Sequence, residues 1–216
     1  MSTRGPGARL TWAATGIGVT VVLALVLPGF VFARALPTPA SVVYGDAVWG
    51  PGKVPAPPIT LRDTAGRLIS LRQLRGRVVV LTFMDSLCRT DCPVEAAELA
   101  EVHRRLGQST PFTTVVVSTD PGGDTRRHVR AFLDRYRIHF PVLWLVGTRA
   151  QLQRVWRAYQ IDVTSASTHS SALYLIGRSG DERAGFGVPF PPTDLMHDLR
   201  ALDAHWHARW ALPWAL

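Results

Sequence analysis

The chain has two cysteines, Cys88 and Cys92, and both lie in the segment Cys-Arg-Thr-Asp-Cys-Pro. A thiolate binds soft metal ions and attacks disulfides, so this residue type can serve metal or redox chemistry. If residues 88–92 form a helical turn, the two Cα atoms lie ~6 Å apart, within reach of a disulfide or of one shared metal ion. A disulfide across so short a loop would add little stability. The spacing therefore favours a functional pair over a structural one, and it leaves the redox and metal roles open.

The pair lies where a predicted strand ends and a predicted helix begins. The apolar run over 78–84 is typical of a buried parallel strand, and the periodicity over 93–106 predicts a helix. Pro93 suits the first helical position, which would place Cys92 at the N-cap. The positive end of the helix dipole, with Arg89 between the thiols, predicts a lowered pKa for both cysteines.

A third candidate residue is His169, in a loop just before a predicted strand over 172–176. Site residues concentrate in such loops, at the ends of buried strands. Two thiolates and one imidazole suit Cu(I), and the same set would also hold Cu(II) or Zn(II). Other histidines lie in or beside amphipathic segments, and we interpret these as structural: His103, His128, His139 and His197.

Predicted strands and helices alternate along the chain from residue 59 onward. Within the helix after the cysteines, the periodicity puts Leu99 on the apolar face and Glu95 away from it. Asp124 is the predicted N-cap of a second helix. The alternation predicts an α/β fold with a mainly parallel central sheet, helices on both faces and a C-terminal hairpin. The predicted strands are 67–71, 78–84, 114–118, 142–146, 172–176 and 182–188, and further helices are centred on Leu152–Tyr159 and Leu195–Trp206.

The N-terminal part of the chain predicts a membrane anchor. Residues 12–33 carry no charge over a length that can cross a bilayer as a helix, which takes about 20 residues. Arg4 and Arg9 precede this segment, so the positive-inside rule places residues 1–11 in the cytoplasm and the rest of the chain outside. A cleaved signal peptide ending near Ala33 is the alternative, and it would also export the domain.

Composition divides the remainder of the chain into three parts. Residues 34–58 are rich in proline, which predicts a semi-rigid linker. The folded domain is then expected over 59–204, followed by a Trp-rich tail over 205–216. The net charge is +8, but the arginines are scattered and form no basic block, so nucleic-acid binding is not predicted. Nucleotide-binding glycine motifs are absent from the sequence as well.

Three separated stretches resemble the Sco/SenC family of copper chaperones. They are the strand followed by Cys-x-x-x-Cys-Pro, the Ser-x-Asp-Pro-x-x-Asp-Thr signature over 118–125, and the His-Ser-Ser loop that enters a Tyr-Leu-Ile strand. The resemblance runs from Ile59 to Leu202 and implies a thioredoxin-like fold. Arg89 and Thr168 stand where the family usually has Pro and Asp.

The resemblance also implies a function. It suggests a copper ion bound by Cys88, Cys92 and His169, in a domain tethered to the cell membrane by one span on the extracytoplasmic, periplasmic side. The implied partner is the copper-centre subunit of cytochrome c oxidase, or another copper chaperone. A thiol–disulfide oxidoreductase that uses Cys88 and Cys92 as its redox pair is the alternative, although such relatives usually carry Cys-x-x-Cys. A binding and transfer protein is favoured over an enzyme, and if the protein is an enzyme the expected class is thiol–disulfide oxidoreductase. A copper or redox sensor stays open too.

Overall fold

A mixed β-sheet forms the centre of the molecule in the computed structural model, which describes residues 43–107, 109–165 and 168–210. The eight strands of this sheet follow the order β1-β10-β9-β4-β5-β6-β2-β3, and β7 pairs separately with β8. The strands are β1 Ala47–Val48, β2 Thr60–Asp63, β3 Leu68–Ser70, β4 Val78–Met84, β5 Phe112–Ser118, β6 Val142–Val146, β7 Val163–Ser165, β8 Thr168–His169, β9 Ala172–Ile176 and β10 Glu182–Gly187. The helices are α1 Asp91–Leu106, α2 Arg126–Arg135, α3 Arg149–Ala158 and α4 Pro192–Trp210, with a 3-10 turn over Leu71–Leu74.

Parallel pairing is confined to the centre of the sheet. Strand β5 pairs in parallel with β4 on one side and with β6 on the other. The β2–β3 hairpin adds to β6 and the β9–β10 hairpin adds to β4, both in antiparallel orientation. Short connections within each hairpin allow only antiparallel neighbours. The predicted C-terminal hairpin is therefore present, and the parallel part is a three-stranded core with antiparallel strands on both sides.

Two apolar layers cover the sheet, and β4 contributes to both. All seven residues of β4 are buried. Val78, Val80 and Met84 pack in the layer that holds α1, α2 and α4. Val79, Leu81 and Phe83 face the other layer, which holds α3. Successive side chains of a strand point to opposite faces, so a strand covered on both sides is apolar throughout. The helices on both faces of the sheet agree with the prediction made from the alternation of strands and helices along the chain.

Helix α1 begins earlier than the sequence predicted. Thr90 is its N-cap residue and Asp91 its first residue, so Cys92 lies inside the first turn and Pro93 is the third helical residue. A proline loses nothing at that position, because the first four N–H groups of a helix have no intrahelical partner. The predicted N-cap role of Cys92 is therefore wrong, although both thiols still lie at the N-terminal end of the helix.

The chain joins the domain well before residue 59, where the folded part was expected to start. The backbone amides of Tyr44 and Gly45 donate to the buried carboxylate of Asp198 in α4, at 2.8 and 3.2 Å. Val43 is part of the apolar core, and β1 pairs with β10. Part of the predicted linker is thus bound to the sheet. Proline content alone did not reveal this, because the contacts come from residues between the prolines.

Two other predicted segments lie wholly or partly outside the described residues. The predicted membrane span over 12–33 is one of them, and among the residues that are described no helix is long and apolar enough to cross a bilayer. The Trp-rich segment over 205–216 is the other. The backbone of α4 continues through the expected boundary as far as Trp210.

Candidate metal and redox site

The loop between β4 and α1 folds back on itself and places Cys88 beside the helix end. The amide of Leu87 donates to Asp85 Oδ1 at 2.7 Å, and the amide of Cys88 donates to the backbone carbonyl of Asp85 at 3.2 Å. An Asp side chain that accepts from the backbone two residues on is a common way to stabilise a turn. Asp85 itself is buried, and burial raises the pKa of its carboxyl group.

The two cysteines are free thiols with different surroundings. Cys92 is fully buried, and its sulfur accepts a weak hydrogen bond from the amide of Asp85 at 3.5 Å. Cys88 keeps 9% of its surface exposed, and its sulfur lies 3.5 Å from the hydroxyl of Thr90. Cys88 is therefore the more accessible sulfur of the pair.

These surroundings shift the two thiol pKa values in opposite directions. Burial opposes ionisation of Cys88, but hydrogen bonds from Thr90 and from the Cys92 amide outweigh it, and the pKa of Cys88 is lowered. Burial dominates at Cys92 and raises the pKa of its thiol. The sequence predicted a lowered pKa for both, and this was wrong for Cys92, because the desolvation of a buried thiolate outweighs the stabilisation it gains at a helix end. The arrangement makes Cys88 the more readily ionised thiol of the pair.

His169 lies next to Cys92 although the two are 77 positions apart in the chain. Its Nε2 atom is 3.7 Å from the Cys92 sulfur, and its Nδ1 atom is 3.1 Å from the carbonyl oxygen of Ser170. A carbonyl only accepts, so Nδ1 carries the proton in that bond, and in the neutral ring Nε2 has a free lone pair. This lone pair, directed toward a sulfur, is the one that a metal ion would use.

The sheet brings these two residues together. Strand β9 follows His169 and runs antiparallel to β4, with Leu173 opposite Thr82. The start of β9 therefore lies beside the end of β4, from which the cysteine loop departs. Within the described ranges, no three His, Cys, Asp or Glu side chains form a ready-made metal cluster. The structure thus brings Cys92 and His169 together, and the complete ligand set with Cys88 stays a prediction.

Glu95 is a buried carboxyl group beside the site. The helical periodicity predicted that Glu95 lies away from the apolar face of α1, and this was wrong. Its side chain is fully buried, and its Oε1 atom accepts a hydrogen bond from the hydroxyl of Thr82 in β4. Its Oε2 atom has no hydrogen-bond partner among the described residues. Burial raises the pKa of Glu95 to about 8. Two features of the sequence could have indicated this buried contact. Glu95 follows Cys92 by one helical turn, and Thr82 is the polar residue within an apolar strand.

Asp124 also differs from its predicted role as a helix cap. Thr125 caps α2, its hydroxyl accepting from the amide of His128 at 3.2 Å. Asp124 is buried instead, and its carboxylate accepts from the amide of Ser86 at 2.8 Å and from the indole nitrogen of Trp144 at 3.2 Å. The Ser-x-Asp-Pro-x-x-Asp-Thr segment therefore holds the start of the cysteine loop against the sheet.

Comparison with known proteins agrees with this arrangement. The model of the SCO1/SenC family matches residues 52–203, which is well over half of the chain. The chain belongs to the SCO1/SenC family. A relative from Stutzerimonas stutzeri, named as a copper-binding protein, is 28% identical over 153 residues, which cover 66% of this chain and 74% of that protein. The family membership predicted from the three sequence stretches is thus confirmed.

Solved structures of SCO1/SenC proteins share the fold. BsSco, described as having a disulfide switch and as a member of the Sco family of cytochrome c oxidase assembly proteins, superposes with a TM-score of 0.62 at 20% identity, covering 73% of this chain and 98% of that one. The thioredoxin domain of a thiol–disulfide oxidoreductase from Bacteroides vulgatus gives a TM-score of 0.53 at 19% identity, covering 75% and 99%. The thioredoxin-like α/β fold is confirmed.

Proposed function

We propose that this SCO1/SenC protein is a membrane-anchored, extracytoplasmic copper chaperone that binds copper through Cys88, Cys92 and His169. Its proposed task is to help assemble the copper centre of cytochrome c oxidase. The observation that carries the proposal is the imidazole Nε2 atom 3.7 Å from the sulfur of Cys92, which lies in the first turn of α1, with Cys88 in the loop just before that helix. Two soft sulfurs and one imidazole match the ligand preference of copper.

Copper is the cargo in this proposal, and the two sulfurs would take it up differently. Cys88 has the lowered pKa and offers a thiolate first. Cys92, whose pKa is raised, has to release its proton to become a ligand. His169 would bind through Nε2, because its Nδ1 atom faces the carbonyl oxygen of Ser170. Cys88, whose side chain shares a hydrogen bond with that of Cys92, would supply the third ligand of the site.

A thiol–disulfide oxidoreductase is the second candidate function, and one observation favours it. A thiol of lowered pKa with some exposed surface at Cys88, beside a fully buried thiol at Cys92, is the order of groups needed to attack a disulfide and then to resolve the mixed disulfide. His169 has a different importance in the two functions. It is a ligand in a chaperone, whereas in an oxidoreductase it only influences the adjacent thiols.

The two functions can be separated by His169→Ala, measured on the full chain. A chaperone should lose at least ~10-fold in copper affinity, about 1.4 kcal/mol, while the reduced cysteine pair still reduces a model disulfide at a similar rate. His139→Ala is the matched control, because His139 is exposed and lies after α2. Unchanged copper affinity with lost disulfide exchange would overturn the chaperone and favour the oxidoreductase.

The membrane anchor and the partner are part of the same proposal. The uncharged segment over 12–33 and the arginines before it support export of the domain. Protease added to intact spheroplasts should digest the domain, and protection until lysis would contradict the proposed orientation. The proposed acceptor is the copper-centre subunit of cytochrome c oxidase or another copper chaperone, supported by the resemblance and by the description of BsSco.

A further inference from the structure

A surface groove of about 520 Å³ opens directly beside Cys88. One wall comes from the cysteine loop and the other from α2 and the residue that follows it. The residues that matter here are Leu87, Cys88 and Arg89 on the loop side, and His128, Arg135 and Tyr136 on the helix side. A molecule that reaches the Cys88 sulfur from this side has to lie in the groove.

The charged side chains that line this groove are positive. Arg89 and Arg135 are exposed, and neither forms an ion pair within the described part of the chain. No Asp or Glu is among the residues that line the groove. Asp134, the acidic residue of α2, does not line it either. The two guanidinium groups thus face solvent beside the reactive sulfur without a counter-charge from the protein.

An apolar side chain lines the same groove. Leu87, immediately before Cys88, is 49% exposed, although most large apolar side chains of the domain are buried. Tyr136 adds a ring from the opposite wall. An exposed apolar side chain with charged neighbours is typical of protein interaction sites. The groove therefore offers one apolar contact, two cationic contacts and one sulfur.

We propose that this groove receives an acidic, cysteine-bearing polypeptide segment of the protein with which the cysteine pair exchanges copper or disulfides. The carboxylates of that segment pair with Arg89 and Arg135, its apolar side chain packs on Leu87, and its sulfur reaches Cys88. Such charge complementarity selects partners and accelerates their encounter. The inference rests on the proposed function and adds the chemical class of the partner to it.

Disulfide exchange gives a measure of docking that needs no copper. The Cys88 thiolate attacks the disulfide between a peptide cysteine and thionitrobenzoate, forming a Cys88–peptide disulfide and releasing coloured thionitrobenzoate. Cys92 then loses its proton to solvent and attacks the Cys88 sulfur. The products are the Cys88–Cys92 disulfide and the peptide thiolate, so the protein pair loses two electrons and the probe disulfide gains them.

The experiment compares two synthetic peptides of one length, with Asp and Glu or with Lys flanking the cysteine. The reduced full chain should react at least ~10-fold faster with the acidic peptide at low salt, and the preference should shrink at high salt, because screening weakens exposed pairs. Arg135→Glu should reduce the preference at least ~3-fold. Arg154→Glu is the control. It makes the same charge change at an exposed position of α3, the helix that packs on the opposite face of the sheet.

The outcomes distinguish docking in the groove from a general attraction of the acidic peptide to the whole chain, which carries a net charge of +8. An equal loss of preference in Arg135→Glu and Arg154→Glu would overturn the proposal, and so would equal rates for the two peptides with the unmodified chain. Arg135→Gln removes the positive charge without reversing it and should give an intermediate preference. It keeps the proposal testable if the Arg135→Glu variant fails to fold. Copper binding is measured separately on every variant, so a failure of docking leaves copper binding intact, whereas a failure of the proposed function removes it.

Discussion

The carboxylate of Asp124 joins the cysteine loop to the centre of the sheet, because it accepts from the amide of Ser86 at 2.8 Å and from the indole of Trp144 at 3.2 Å. Ser86 lies two residues before Cys88, and Trp144 lies in β6. Both donors are buried together with the carboxylate. The position of the candidate cysteine pair therefore depends on a residue outside the proposed ligand set.

Asp124→Ala should destabilise the fold and disturb the cysteine loop. The substitution leaves two buried donors without an acceptor, which costs about 1–3 kcal/mol for each unsatisfied group. We expect a lower denaturant midpoint for unfolding and a smaller cost for Asp124→Asn, whose carbonyl can still accept. The control is Asp134→Ala on the exposed side of α2. Equal stability of Asp124→Ala and the unmodified protein would contradict the role of this carboxylate.

Glu95 should make the folded protein less stable as the pH rises from 5 to 9. Burial raises its pKa from 4.5 to about 8, so between these values the folded state holds a proton that the unfolded state has released. The free energy of unfolding then falls with increasing pH through this window, by about 1.4 kcal/mol per unit of pKa shift at most. Glu95→Gln stays neutral and keeps an acceptor for Thr82, so it should remove this part of the slope.

The measurement is denaturant unfolding of both proteins across that pH range. Glu101→Gln serves as the matched control on the same helix, since Glu101 is partly exposed and its arginine neighbours lower its pKa. It should leave the slope unchanged. Identical slopes for the unmodified protein and Glu95→Gln would show that Glu95 is ionised in the folded state at neutral pH.

Cys88 should react with iodoacetamide before Cys92 does. It has the lowered pKa and the more exposed sulfur, whereas Cys92 is fully buried with a raised pKa. Alkylation requires thiolate. Mass spectrometry of the first labelled peptide identifies the site, and Cys88→Ser should slow labelling far more than Cys92→Ser. Labelling of Cys92 first would reverse the assignment of attacking and resolving thiols.

Copper affinity should increase with pH near neutrality. Cys92 enters the reaction as a thiol because its pKa is raised, so each copper ion displaces at least one proton and the affinity rises by at least ~10-fold per pH unit. A competition titration with a chelator of known affinity at several pH values measures this slope. His169→Ala should bind more weakly but keep the slope. An affinity that does not change with pH would mean that both sulfurs are already ionised.

The central strands were the most predictable part of the fold, whereas β1, β2, β7 and β8 were not predicted. The apolar run over 78–84 is β4 with the same bounds, because a strand buried on both faces is apolar at nearly every position. The start of α1 was missed, since Pro93 is compatible with any of the first helical positions. Glu95 was misplaced because periodicity treats every carboxylate as exposed. A raised pKa is what allows this one to be buried.

The site could be predicted only in part. Residue type and the family resemblance identified Cys88, Cys92 and His169 as candidates. The proximity of His169 to Cys92 depends on the antiparallel insertion of β9 beside β4, and no local pattern contains that information. The roles of Asp124 and Thr82 were equally hidden, because each acts through a contact with a distant segment.

The attachment of Tyr44 and Gly45 to Asp198 limits how far the proposed anchored domain can travel from the bilayer. Only residues 34–42, nine positions, then separate the proposed span from the part of the chain bound to the fold. A fully extended chain covers about 3.5 Å per residue, so this tether is at most ~30 Å long, against ~85 Å for a free linker over 34–58. If the proposed span anchors the domain, a tether of that length keeps the start of the folded part close to the membrane surface. Such an arrangement would favour acceptors held at that same surface.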